Sequence, residues 1–143
     1  MKKIFSLILI CLFLTACFNG SQFVNLKIKD TNIQAELVVN LKQKAQGLSG
    51  RESLADNQGM LFLYQEPGRY SFWMKGMNFP LDIIYIYNNE IIEIFKNVPL
   101  KTEGEITEIF PAQIADKILE VNAGFCDLHN IQISDKIEFK DLD

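Results

Sequence analysis

Few polar residues in this chain sit where they could do chemistry, and those that do are embedded in apolar runs. Trp73 and Lys75 alternate with Phe72 and Met74, and Asp82 opens the run Asp82-Ile83-Ile84-Tyr85-Ile86 two residues after Pro80. Glu120 stands between Leu119 and Val121, and Arg51 lies in a loop that also carries Gly47, Gly50 and Gly59. On an extended backbone successive side chains point to opposite faces, so Trp73 and Lys75 share one face while Phe72 and Met74 take the other, in the core. An aromatic floor with a cation at its edge is a plausible groove. The same alternation puts Asp82 with Ile84 and Ile86, at a core rim where a carboxylate needs a partner, and Lys75 or Arg51 would provide one. Glu120 shares its face with Ile118 and is expected to be half-exposed. If Asp82 and Glu120 faced each other they would suit acid–base work or glycoside hydrolysis. A structural ion pair or hydrogen-bonded cap is the commoner use of such carboxylates.

Other common active sites cannot be assembled. His129 is the only histidine, and with no CxxC the chain offers no zinc ligand set, so no metal is assigned. Beside Asn130, after a short helical turn, His129 reads as a surface or capping residue. Gly47-Leu48-Ser49-Gly50 has the wrong order for a GxSxG elbow, and neither a P-loop nor a dinucleotide fingerprint occurs. No cofactor and no catalytic residue are therefore assigned. Cys126, in Gly124-Phe125-Cys126, reads as a buried, inert thiol.

The elements that must hold these residues are mostly strands. Val24, Leu26 and Ile28 alternate with polar residues, as do Ile33, Ala35, Leu37 and Val39, and Asp30-Thr31-Asn32 between them is turn chemistry. Asn40 can cap a helix over Leu41 to Leu48. Strands follow at Met60 to Tyr64 (stopped by Pro67-Gly68), Tyr70 to Met74 and Asp82 to Tyr87, the last turning through Asn88-Asn89 into Glu90 to Lys96. Shorter ones are expected at Glu105 to Phe110, Lys117 to Asn122 and Lys136 to Lys140, with a helical turn within Gly124 to Asn130. The expected fold is mainly β: a compact antiparallel β-sandwich or barrel with one or two short helices, since helices that would link parallel strands are lacking.

The chain start addresses the protein. Lys2 and Lys3 precede an apolar segment from Ile4 to Ala16, shorter than the roughly 20 residues that cross a bilayer. It closes on Leu14-Thr15-Ala16-Cys17, which resembles the lipobox of bacterial lipoproteins. That resemblance implies cleavage before Cys17 and acylation of Cys17, and two or three acyl chains anchor durably. The expected organisation is a signal peptide over 1–16, a lipidated tether over 17–22 and a single β-rich domain over 23–143. The protein would then sit in the bacterial cell envelope, held to the membrane through lipid on Cys17 on the extracytoplasmic side, which in a Gram-negative cell faces the periplasm. With net charge −4 and no lysine or arginine cluster, no nucleic-acid partner is expected.

Gln46-Gly47-Leu48, Arg51, Gly59-Met60-Leu61-Phe62, Phe72-Trp73-Met74-Lys75, Pro80-Leu81-Asp82-Ile83-Ile84 and Leu119-Glu120-Val121 with Gly124 occur in that order. The series resembles the domain of unknown function 192 family, over most of Ile33 to Phe139. The resemblance implies a compact sandwich-like or barrel-like β fold, and a family without an established function. Gly76-Met77 stands where that family usually shows Asn-Thr, and Ser134-Asp135 replaces a typical Gly-Asp turn. Arg51, Trp73, Lys75, Asp82 and Glu120 match its polar motif positions and are the candidate ligand-binding residues. Three readings follow: a lipid-anchored domain binding a small molecule or an envelope protein in a groove around Trp73, a hydrolase using Asp82 and Glu120, and a structural or accessory envelope protein.

Overall fold

The computed structural model describes residues 22–100, 105–140 and 142. The leader, Cys17 and most of the tether lie outside these residues. Among the described residues no helix is long and apolar enough to cross a membrane.

Among the described residues nine strands and two short helices follow one another: β1 (Phe23–Ile28), β2 (Thr31–Val38), α1 (Leu41–Gln46), β3 (Gln58–Gly68), β4 (Phe72–Trp73), β5 (Leu81–Tyr87), β6 (Glu90–Val98), β7 (Glu108–Ile109), β8 (Ala115–Asn122), α2 (Phe125–Leu128) and β9 (Ile137–Phe139). Seven of them form one curled sheet in the order β6-β5-β8-β3-β2-β1-β9, a half-barrel, and β4 pairs with β7 in a small second sheet. The expected β-rich class with two short helices is what the chain adopts.

Local chemistry sets the turns. Asn88 and Asn89 both take positive φ, 51° and 60°, the conformation a two-residue hairpin needs and asparagine tolerates. Asn40 caps α1, its side-chain oxygen accepting from the Gln43 N–H at 2.9 Å. The helix ends two residues earlier than the sequence suggests, because Gly47 adopts φ 52°, ψ −136°, a region closed to other residues.

Three expectations need correction. β2 and β3 pair in parallel, Glu36 beside Met60. The short helix α1 and the loop after it give a connection long enough for that crossover. β3 runs on through Pro67-Gly68 because its register with β8 shifts between Leu63 and Gly68, and in such an irregularity proline forfeits no ladder bond. Finally, the strand expected over Tyr70 to Met74 is only the two residues Phe72–Trp73. They pair with Ile109 and Glu108 in the small sheet.

The curled sheet is buried on both faces. Val24, Ile33, Leu61, Ile84, Ile91, Leu119 and Ile137 come from all seven strands and fill the interior, which Phe125, Cys126 and Ile131 plug. Met60, Phe62, Ile83, Tyr85 and Ile118 form the other face, covered by Leu48 after α1 and by Met74 and Ile109 from around the small sheet. Tyr85 is fully buried there, and its hydroxyl donates to the Tyr70 carbonyl at 2.9 Å. The edges β6 and β9 meet at one end. Ile91 N–H donates to the Asp135 carbonyl at 3.0 Å, Ser134 N–H to the Ile91 carbonyl at 2.8 Å and Ile137 N–H to the Asn89 carbonyl at 2.9 Å.

Candidate functional site

One row of residues crosses the outer sheet face: Glu36 of β2, Met60 of β3, Glu120 of β8 and Ile83 of β5 are successive partners. Alternation therefore turns Glu36 and Glu120 toward the side where α1 and the small sheet lie. Glu36 is held by Arg51, whose guanidinium Nη2 donates to its Oε2 at 2.5 Å. Glu120 has no such pair. The residue is only 6% exposed, and among the described residues its buried Oε2 finds no hydrogen-bond partner.

Above Glu120 lies a cavity of about 140 Å³ walled by Phe62, Tyr64, Phe72 and Trp73, with Lys44, Gly47 and Ser49 from α1 and the loop after it and Met77 from beyond β4. Its walls are fixed by sequence-distant segments. Phe62 meets Phe72 edge-on with centroids 4.8 Å apart, and Tyr64 stacks on Tyr70 at 3.5 Å. The loop after α1 is sewn to the chain beyond β4. Ser49 hydroxyl donates to the Lys75 carbonyl at 2.7 Å, Gly50 N–H to the Gly76 carbonyl at 2.8 Å, and the Asn78 amide to the Arg51 carbonyl at 2.8 Å. Lys44 lays its ammonium over the Tyr64 ring, 3.8 Å from the centroid. Gly47 leaves the approach open: a Cβ there would come within 3.5 Å of Phe62 and 3.9 Å of Glu120 Oε2.

Burial dominates the electrostatics. It pushes the Glu120 carboxyl up to about 8 from an ordinary 4.5, and nearby Arg51 pulls back only part of that rise. Tyr64 is pushed up to about 12, by burial first and then by Tyr70 and Glu120. Lys44 is lowered by its partial burial. At neutral pH the floor of the cavity is thus an uncharged acid under aromatic walls.

The five sequence candidates separate. Trp73 is 52% exposed and lines the cavity mouth, and Glu120 is its floor. Arg51 serves an adjoining cavity of about 170 Å³ beyond Gln46 and Gly47, where it meets Glu36. Lys75 is exposed and is not part of the cavity wall, although its carbonyl helps build it. Asp82 is elsewhere. It pairs across the ladder with Val121 while Glu120 pairs with Ile83, so the two carboxylates leave opposite faces of the sheet and do not meet. Nor does Asp82 use Lys75 or Arg51. Fully buried, it accepts backbone N–H groups from Asn97 at 2.7 Å, Gly124 at 3.2 Å and Cys126 at 2.8 Å. That ties the start of α2 and the bulged end of β6 to the sheet. Cys126 is buried as expected, its thiol pushed up by burial and then by Asp82. His129 ends α2 with its ring 4.4 Å from Phe125.

Lys44, Tyr64 and Phe62 escaped the sequence reading as site residues. Tyr64 carried a usable signal, since alternation along β3 places it on the face of Met60 and Phe62. Lys44 carried none, because an exposed helix lysine looks the same wherever it points.

The family model described as Uncharacterized ACR, domain of unknown function 192, matches residues 24–139, from β1 to β9. The chain belongs to that family. Two solved structures are similar along nearly the whole domain. One, from Sinorhizobium meliloti 1021 and provisionally described as a transcription regulator, is 26% identical with a TM-score of 0.78, covering 84% of this chain and 95% of its own. The other, a protein of unknown function from Novosphingobium aromaticivorans DSM 12444, is 28% identical with a TM-score of 0.75, covering 85% and 89%. The search of curated proteins returned no match. Within the domain of unknown function 192 fold, the motif residues do different jobs: Gly47, Phe62, Phe72, Trp73 and Glu120 border the cavity, whereas Asp82 and Gly124 form the interior brace. Ser134, where the family typically has glycine, takes φ 75°, which explains that preference.

Proposed function

We propose that this member of the family is a lipid-anchored envelope protein whose domain binds a small ligand in the cavity beside Trp73. The observation carrying the binding part is the Oε2 of Glu120, buried without a hydrogen-bond partner among the described residues and beneath aromatic walls. Buried polar atoms are nearly always satisfied, so an Oε2 without a partner among the described residues supports a bound ligand as that partner. A concave, mostly aromatic site with one or two convergent polar groups is the usual form of a small-molecule pocket. The anchor rests on Leu14-Thr15-Ala16-Cys17 and the leader before it.

The geometry gives no support to a hydrolase built on Asp82 and Glu120, and favours a bracing role for Asp82 alone. A nucleic-acid role, which the description of the Sinorhizobium protein would suggest, finds no support in a net charge of −4 without a basic cluster. Native mass spectrometry of the protein from its own membranes tests the binding. A retained small mass that disappears in Trp73→Ala and Glu120→Gln, with both variants still folded, is expected. Retention unaffected by both substitutions would place the ligand elsewhere. Cys17→Ser is expected to free the protein from the membrane, and a variant that stays membrane-bound would end the lipid reading.

A further inference from the structure

Building on the cavity beside Trp73 as a binding site, we propose that its ligand is a small organic cation, with an ammonium-type head on Glu120 and an apolar stem against Trp73 and Phe72. The floor decides the head group. Once its proton is displaced, the carboxylate accepts hydrogen bonds and donates none, so a cationic ligand would give the unpartnered Oε2 a charge-assisted donor. No ion pair to Glu120 occurs among the described residues, since Arg51 spends its guanidinium on Glu36.

The walls agree. Phe62, Phe72 and Trp73 line the cavity with aromatic rings, and aromatic rings attract cations where water is excluded, while Tyr64 is already taken up by Tyr70 and Lys44. Lys44 already demonstrates this within the chain, its own ammonium resting on Tyr64 at the mouth. Size limits the stem. Cavities of about 150 Å³ accept a benzene ring, and this one is about 140 Å³.

The competing class is a ligand bearing an acceptor, such as a carbonyl or carboxylate, bound by a protonated Glu120 with Lys44 at the mouth. The two classes differ in the fate of one proton. The charged or titratable groups around Glu120 are Lys44 of α1, Arg51 after it, Glu36 of β2, Tyr64 of β3 and Tyr85 of β5. Burial leaves Glu120 protonated at pH 7, near 8 on the titration scale. A cation must displace that proton to the buffer. Its affinity therefore tightens about tenfold per pH unit as pH approaches 8, whereas an acceptor ligand weakens as pH passes it.

Trp73 is the only tryptophan, so its fluorescence reports this mouth alone. The full chain is titrated with benzylamine, benzyl alcohol and benzoate between pH 6 and 8. We expect benzylamine to bind at least tenfold more tightly than the other two at pH 7 and to tighten toward pH 8. Calorimetry in two buffers of different ionisation enthalpy is expected to show close to one proton released. Glu120→Gln is expected to lose at least tenfold for benzylamine and little for benzyl alcohol. Benzyl alcohol or benzoate binding as tightly, affinity falling with pH, or retained benzylamine binding in Glu120→Gln would overturn the cation while leaving the site standing. Failure of every probe to perturb Trp73 would overturn the site and the cation together. If Glu120→Gln does not fold, the pH dependence of the unsubstituted protein still decides.

Discussion

At the scale of single residues, Glu120 and Gly59 each make a claim on stability. Glu120 titrates near 8 when folded and near its ordinary 4.5 when unfolded, so between those values the folded state holds a proton that the unfolded chain has released. The stabilisation is complete below the unfolded value and is lost as pH rises through the folded one, by up to about 1.4 kcal/mol per pH unit. Glu120→Gln removes this dependence. Thermal melts from about pH 5 to pH 8.5 are expected to show the variant overtaking the parent protein at the alkaline end. A parallel pair of curves would refute the buried-acid description. Gly59 matters for closeness: a Cβ there would stand 2.9 Å from the Glu120 carbonyl oxygen and 3.0 Å from Leu119. Backbone cannot yield as a flexible side chain does, so Gly59→Ala is expected to cost about 1–3 kcal/mol in urea unfolding. It would also disturb the strand that carries Glu120.

At the scale of elements, the brace around Asp82 and the strap before β9 are the places to probe. Asp82→Ala would strand the N–H groups of Asn97, Gly124 and Cys126, with an expected loss of about 3 kcal/mol or more. Hydrogen exchange at those amides is expected to rise first, and unchanged protection would show that α2 holds by packing alone. Ser134 sits in the strap at φ 75°, so Ser134→Gly is expected to stabilise by about 0.5–1 kcal/mol, read as a higher melting temperature. Much of this level was legible in the sequence. Alternation found β1 and β2, apolar runs marked β5 and β8, Asn40 announced α1, and Asn88-Asn89 announced the β5–β6 hairpin. What alternation could not convey is which strands become neighbours. β2 joins β3 in parallel, and Phe72-Trp73 leaves the main sheet, because long-range burial rather than local pattern decides pairing. The candidate site suffered most from that gap. Asp82 and Glu120 are both acids in apolar strands, yet one extra step along the ladder turns them to opposite faces.

At the scale of the whole molecule, a sheet buried on both sides leaves its polar residues two distinct worlds: the sealed interior, where Asp82 organises backbone, and the outer face, where Glu120 meets an opening. Such a molecule can vary what it binds by changing the residues around Trp73 without touching the brace within. The neighbourhood of β1 and β9 has a separate, mechanical consequence. They run antiparallel, Leu26 beside Phe139, and the Lys140 N–H reaches the Asn25 carbonyl at 2.9 Å, so both outer ends leave the sheet at the same rim. Tension between those ends loads the β1–β9 hydrogen bonds one after another, as a zipper is opened, rather than all at once in shear. Single-molecule stretching from Gln22 to Lys140 is expected to peel β9 away at low force while the β5–β8–β3 centre stays folded. A first rupture that takes the centre with it would contradict this. Tethered by one end and tugged by the other, the domain would yield at its rim and keep its cavity.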